Sequence, residues 1–198
     1  MTRLLLASEN PGKLRELQQI LSGLPLEILT PRQLGLSLNV PEDGRTYAEN
    51  AAKKARAWAA FSGLPCLADD SGLEVQALGG APGLYSARYL NRPNANDADR
   101  RAYLLQNLNG KPRPWLARFC ATVALCLPSG QISLAEGVCP GEIIPEERGQ
   151  GGFGYDPIFW LPEQGQTMAE LPAAVKNQIS HRARAIHNAL PFLQALAG

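Results

Sequence analysis

The stretch Leu67-Ala68-Asp69-Asp70-Ser71-Gly72-Leu73-Glu74-Val75 decides how the chain is read. The apolar run Pro65-Cys66-Leu67-Ala68 predicts a buried strand. That strand leads into two adjacent carboxylates, which are costly to bury unless something positive meets them. Successive strand residues point to opposite faces. Asp69 and Asp70 can therefore share one site only if the backbone turns, and Ser71-Gly72 carries turn chemistry. The expectation is a strand ending in an acid pair that binds metal and supplies a base. The rival reading is a polar strand end with one Asp capping a turn.

Outward from that stretch, composition sets limits. The chain has 198 residues, 45% of them hydrophobic and 19% charged, with a formal net charge of +1. That suits one domain with a sizeable core, folded as two lobes around a cleft. A net charge near zero excludes a global basic field for nucleic acid, so an anionic ligand needs a local cluster of cations. Leu4-Leu5-Leu6-Ala7 is too short for a signal-peptide core or a membrane span, so the expected location is the cytoplasm. Cys66, Cys120, Cys126 and Cys139 lack C-x-x-C spacing and read as reduced core thiols. His181 and His187 are not at i,i+4, which removes a His-Glu-x-x-His zinc site.

Upstream, Leu4–Ala7 predicts a first strand, and Asn10 and Pro11 are good N-cap and N1 residues for a helix. The loop Ser8-Glu9-Asn10-Pro11-Gly12-Lys13 then joins a helix N-terminus to an early ammonium, an anion site if its N–H groups are free. The full G-x-x-x-x-G-K-[ST] pattern is missing, so this is not a P-loop. Leu26–Thr30 predicts a second strand. A helix over Tyr47–Ser62 follows, with capping-box spacing at Thr46 and Glu49. Glu42 and Asp43 sit in the preceding loop, where hard cations take carboxylates.

Downstream, Gly79–Tyr89 is glycine-rich yet carries two Tyr and an Arg. Asn94–Leu108 predicts a charged helix stopped by Gly110, Pro112 and Pro114. Arg118–Leu127 and Gln131–Val138 predict a hairpin around Pro128-Ser129-Gly130. Gly149–Pro157 contains G-x-G-x-x-G, but an extended aromatic segment follows where a dinucleotide fingerprint needs a helix. The loop suits a flat ligand instead: Phe153 and Tyr155 offer rings for stacking, and Asp156 an acceptor for ring N–H groups. Ser180 predicts an N-cap that places His181 and Arg182 in the first turn of a helix ending or kinking near Pro191. Cations there oppose the helix dipole unless an anion or a ligand oxygen is present.

Taken together, Ala68–Leu73, Gly79–Tyr89, Gly151–Pro157 and Ser180–Arg182 resemble the inosine triphosphate pyrophosphatase family over nearly the whole chain. The resemblance implies an α/β fold, an elongated mixed sheet flanked by helices in two lobes around a central nucleotide-binding cleft, forming one domain over residues 1–198. It implies a homodimer, and Mg²⁺-dependent hydrolysis of ITP, dITP and XTP to the monophosphate and pyrophosphate. No nucleic-acid or membrane partner is implied. By position, Ser8, Glu9, Asn10, Pro11, Gly12 and Lys13 resemble the phosphate-binding loop. This chain has Ser8-Glu9-Asn10 where the family usually has Thr-Gly-Asn, so the Glu9 side chain is expected to point away. Glu42 and Asp70 resemble the metal ligands, and Asp70 the catalytic proton acceptor. Lys54 and Ser71 match substrate contacts. Phe153, Gly154, Tyr155 and Asp156 resemble the base-binding loop, and Lys176, His181 and Arg182 the remaining nucleotide contacts. Rival classes are a phosphatase using an aspartyl-phosphate, whose Asp-x-Asp pattern is missing here, and a nucleotide-binding regulator without turnover.

Overall fold

A computed structural model describes residues 1–197. In chain order the elements are β1 (Thr2–Leu6), α1 (Pro11–Leu21), β2 (Leu26–Leu29), α2 (Tyr47–Ser62), β3 (Cys66–Val75) and α3 (Asp97–Leu108). They continue with β4 (Trp115–Cys126), β5 (Ile132–Ile143), β6 (Phe159–Leu161), β7 (Gln166–Thr167), α4 (Ala173–Ile179) and α5 (His181–Ala197). The strands form one seven-stranded sheet in the order β2-β1-β3-β4-β5-β6-β7. It is mixed: β1 runs parallel to β2 and β3, whereas β6 is antiparallel to β5 and β7.

The chain divides into two compact units, with β3, β4 and β5 contributing to both. The first holds residues 1–70, 121–137 and the C-terminal stretch from His181; the second holds 71–120 and 138–180. In the first unit the strand pleat sorts the apolar residues. Leu4, Leu6 and Leu67 pack with Leu17 and Leu21 of α1 and Ile186 and Leu193 of α5. Leu5, Cys66 and Ala68 face the other way, against Ala51, Ala55 and Trp58 of α2. Each fully buried Leu contributes about 1.5–3 kcal/mol. The second unit centres on Leu73, Val75, Leu104, Leu108, Phe119, Ile158 and Phe159.

Several expectations are corrected. The chain does not turn at Ser71-Gly72; β3 runs unbroken for ten residues through both carboxylates. Gly72 and Leu73 are both buried, so the strand continues into the second unit's core rather than stopping at the surface. The charged helix begins at Asp97, not Asn94: Asn96 caps it with a reciprocal Asp99 contact, and Asn94 has φ +60°. Of the two alternatives at Pro191, the helix does not end there: α5 runs on to Ala197, with Leu193 buried beyond the proline. The short α4, which carries Lys176, has no counterpart among the expected helices. The four cysteines are buried thiols, as expected.

Candidate active site

In the first unit, β1 delivers the chain to Ser8 at the start of α1. The Asn10 Oδ1 accepts hydrogen bonds from the N–H of Gly12 (2.8 Å) and of Lys13 (3.1 Å). Asn10 N–H donates to Ser8 Oγ at 3.3 Å. Two of the N–H groups expected to be open to an anion are thus satisfied by the cap, and the loop's cation is Lys13, whose side chain is only 16% exposed. Glu9 is exposed, and so is Pro11, whereas Gly12 is buried.

The pleat sends the two central carboxylates to opposite faces of β3. Asp69 is on the face of α1 and α5. Its Oδ2 lies 3.0 Å from Lys13 Nζ and 3.1 Å from Arg182 Nε. Its Oδ1 is buried with no hydrogen-bond partner. Arg182, 1% exposed, also reaches Glu16 of α1 through Nη1. Burial pushes the Asp69 carboxyl up, but Lys13, Arg182 and Lys54 outweigh it and hold it well below the usual carboxylate range. Burial also pulls the Lys13 ammonium down, against the attraction of Asp69. The cations in the first turn of α5 are therefore met by protein carboxylates, which answers the dipole conflict at Arg182. Gly137 on β5 permits this approach: a Cβ there would lie 2.2 Å from His181 O and 2.3 Å from Ala185 N. His181 is buried in the same turn.

Asp70 is on the α2 face. Its Oδ2 accepts from Asn50 Nδ2 at 2.9 Å, while Asn50 Oδ1 accepts from Gly44 N–H at 2.8 Å. Asn50 thereby ties the Asp70 carboxylate to the loop that carries Glu42. Lys54 Nζ, one helical turn further along α2, pairs with Glu42 and donates to the Asp69 carbonyl oxygen at 2.6 Å. Burial raises the Asp70 pKa, Lys54 and Lys13 oppose the rise, and the Glu42 charge adds to it. Asp43 engages the half-exposed Lys53 instead.

The donor chemistry here suits a hard cation. Glu42 and Asp70 are both oxygen donors, and each sits in the other's field. No group of three or more His, Cys, Asp or Glu fit to hold a metal occurs among the described residues. Mg²⁺ needs only one or two carboxylates, with phosphate oxygens and water completing its shell. The pair fits that ion, and the donor set contains neither thiolate nor imidazole.

In the second unit, Gly149–Pro157 is a loop closed by a short 3₁₀ turn over Asp156–Ile158. Phe153 and Gly154 are partly exposed. Asp156 is buried; its Oδ2 accepts from Phe153 N–H at 2.8 Å and from Lys176 Nζ. Lys176 is buried on α4 with its ammonium 5.2 Å from the Phe153 ring centroid. Gly152 has φ +71°, and a Cβ there would fall 2.0 Å from Asp156 Oδ2, so only glycine lets this bracket close. Tyr155 is a core residue whose hydroxyl donates to Ser86 O at 2.9 Å. Ser86 Oγ accepts from Leu73 N–H at 2.9 Å and donates to Gly83 O at 2.6 Å. The structure thus makes Tyr155 and Asp156 the loop's internal supports and leaves the Phe153 ring at its half-buried face. Ser71 is half-buried on β3.

The first unit therefore gathers Lys13, Glu42, Lys54, Asp69, Asp70 and Arg182, and the second gathers Phe153, Gly154, Asp156 and Lys176. Sequence reasoning missed Asn50 and Glu16. Asn50 carried a signal, being a polar residue inside the Ala51, Ala55, Trp58 stripe of α2. Glu16 carried none, since a helix acid three residues after a lysine is ordinary surface patterning.

A family model described as the Ham1 family matches residues 4–192. The chain belongs to the Ham1 family. It is 50% identical over 187 residues to a dITP/XTP pyrophosphatase of Geobacter sulfurreducens, covering 94% of each chain. It is 49% identical, over an alignment of 200 positions that covers 100% of each chain, to a dITP/XTP pyrophosphatase of Xanthomonas oryzae pv. oryzae. Among solved structures, a HAM1 protein from Coxiella burnetii aligns at TM-score 0.88 and 40% identity, covering 98% of this chain and all of that one. The Staphylococcus aureus Ham1 protein aligns at 0.85 and 36%, with 98% and 99% coverage. The sequence resemblance and the α/β expectation of a mixed sheet flanked by helices are both borne out.

Proposed function

We propose that this Ham1-family chain is a magnesium-dependent hydrolase of non-canonical purine nucleoside triphosphates (dITP, XTP and ITP), releasing the monophosphate and pyrophosphate. One observation carries the reading: Glu42, Asp70, Lys54 and Lys13 cluster in a chain half-identical to a dITP/XTP pyrophosphatase. Lys13, Lys54 and Arg182 offset the triphosphate charge. Lys13 and Lys54 engage phosphate oxygens by exchanging their present carboxylate partners, while the Asn10 cap fixes the loop that carries Lys13. Glu42 and Asp70 hold the ion, which when bound supplies charge neutralisation and polarises phosphate oxygens. Asp70 orients the attacking water and accepts its proton as the new bond to the α-phosphorus forms and the bond to the departing pyrophosphate breaks. Asn50, which also holds the loop carrying Glu42, fixes the Asp70 carboxylate in place to take that proton.

In the second unit the Phe153 ring stacks on the purine, worth about 1–3 kcal/mol per base. Lys176 and Asp156 hold that ring in place. A donor to the 6-oxo group selects against adenine, which would leave that donor unpaired at a cost of about 1–3 kcal/mol. No helix among the described residues is long and apolar enough to cross a membrane. The enzyme works as a cytoplasmic homodimer, with one hydrolase domain per chain.

The deciding experiment is pyrophosphate release from dITP, XTP, GTP and ATP, with Mg²⁺ and with chelator. Metal-dependent release from dITP and XTP, with little from ATP or GTP, is the expected result. Nucleotide binding without release from any of them would overturn the hydrolase reading in favour of a nucleotide-binding regulator.

A further inference from the structure

The second unit contains a clamp that no part of the reaction above uses. α3 presents Asp97 and Arg101, one helical turn apart, to a single residue of the glycine loop. Gly154 N–H donates to Asp97 Oδ2 at 2.7 Å, and Gly154 O accepts from Arg101 Nη1 at 2.8 Å. Both backbone polar groups of Gly154 are thus fixed by side chains from another element. Arg101 is held in turn by a two-pronged pair with Glu147, Nε to Oε1 at 2.8 Å and Nη2 to Oε2 at 2.9 Å. Asp97 also pairs with Arg100. Burial pushes the Asp97 carboxyl up, but Arg100 and the Gly154 N–H outweigh it, so it stays ionised as an acceptor.

The residue so held cannot place itself. Gly154 has φ +63°, and a Cβ there would meet nothing within 4 Å, so backbone freedom rather than lack of space requires glycine. A residue that free would leave the neighbouring Phe153 ring to sample many positions. On the other side, Phe153 N–H is tied to Asp156 and its ring lies by Lys176. The loop is therefore pinned from within by Asp156 and from outside by α3.

We propose that Asp97 and Arg101 are positioning residues for base recognition: by holding Gly154 through both its polar groups they set the Phe153 ring before a purine nucleotide arrives. This rests on the base-stacking reading of Phe153 given above. A pre-set loop binds without the ordering cost that a mobile one incurs, so the clamp acts on nucleotide affinity and leaves the chemistry in the first unit unchanged. Removing it raises KM, and raises it most for the base contacts.

The test uses the full chain with dITP as substrate, comparing Asp97→Ala, Arg101→Leu and Phe153→Ala, with Asp97→Asn as the conservative variant. Asparagine keeps an acceptor for the Gly154 N–H. Asp97→Ala and Arg101→Leu are expected to raise KM about tenfold with kcat within about twofold, the size of one or two lost hydrogen bonds. Asp97→Asn is expected to recover most of that loss. Thermal unfolding run in parallel separates positioning from folding: a fall in kcat and KM effects that track the loss of Tm would overturn the inference. If Phe153→Ala raises KM but neither clamp variant does, the clamp is wrong and the stacking reading stands. An unchanged KM in Phe153→Ala would bring down the stacking reading and the inference with it. Should Asp97→Ala fail to fold, Arg101→Leu and Asp97→Asn still decide: a wild-type KM in Arg101→Leu overturns the proposal.

Discussion

Two neighbouring carboxylates do opposite work because a strand alternates its faces. Asp70 is held by Asn50 on the α2 face, which fixes the carboxylate that is to accept the proton. Asp70→Asn keeps the shape and removes the base, so kcat should fall by about 10²–10⁴-fold while dITP still binds. Single-turnover rates beside equilibrium binding of dITP check this; retained turnover would exclude Asp70 as the base. Asp69 is held below the ordinary carboxylate range by Lys13 and Arg182, against the effect of burial. The stability it contributes is complete above the unfolded-chain pKa and is lost as pH falls through the lower folded value. Asp69→Asn leaves two buried cations with one fewer counter-charge and should cost about 3–5 kcal/mol at pH 7. The gap to wild type should narrow as pH drops below about 4. Urea unfolding at stepped pH tests this, and a gap independent of pH would count against the ion network as its cause.

At the scale of elements, α5 sits on β5 where Gly137 leaves room. The neighbours of a Cβ there are backbone atoms of His181 and Ala185, which cannot swing aside. Gly137→Ala should therefore destabilise by about 3 kcal/mol, at the upper end of overpacking costs, and should lower activity by moving the turn that carries Arg182. Urea unfolding with dITP assays would show both effects together; a neutral variant would mean that the contact is soft. The helix starts were the most legible elements. Asn10-Pro11 and Thr46 stand where caps were expected, because capping is a local matter of one side chain and the next three N–H groups, while Ser180 closes α4 as its C-cap immediately before α5 begins at His181. The break at Ser71-Gly72 was misread because turn residues carry turn propensity only when their neighbours permit it. Here Leu73 and Val75 are buried, and that burial draws the strand onward.

Across the whole molecule, the four cysteines lie in strands β3, β4 and β5, each buried. Burial pushes the Cys66 thiol up to about 11 and raises that of Cys126. A thiol-specific reagent at pH 8 should therefore modify none of the four at an appreciable rate until denaturant is added, and reductant should not alter activity. Rapid labelling of native protein would contradict the packing around β3 and β4.

The sequence by itself determined the local and additive features: the strand-helix order at the N-terminus, the caps, the hairpin, the thiols, and a set of motifs specific enough to identify the family. These depend on neighbours within a few residues. Tertiary structure alone decided which partner each charge meets. Glu16 finds Arg182 across 166 positions, Arg101 finds Glu147 across 46, and Asp97 finds the Gly154 amide across 57. It also decided that Asp69 and Asp70 serve opposite faces, and that Tyr155 and Asp156 turn inward. Those outcomes depend on which helix packs on which side of a strand. That is a choice made by the burial of Leu, Ala and Trp side chains far away in sequence, and no local pattern encodes it.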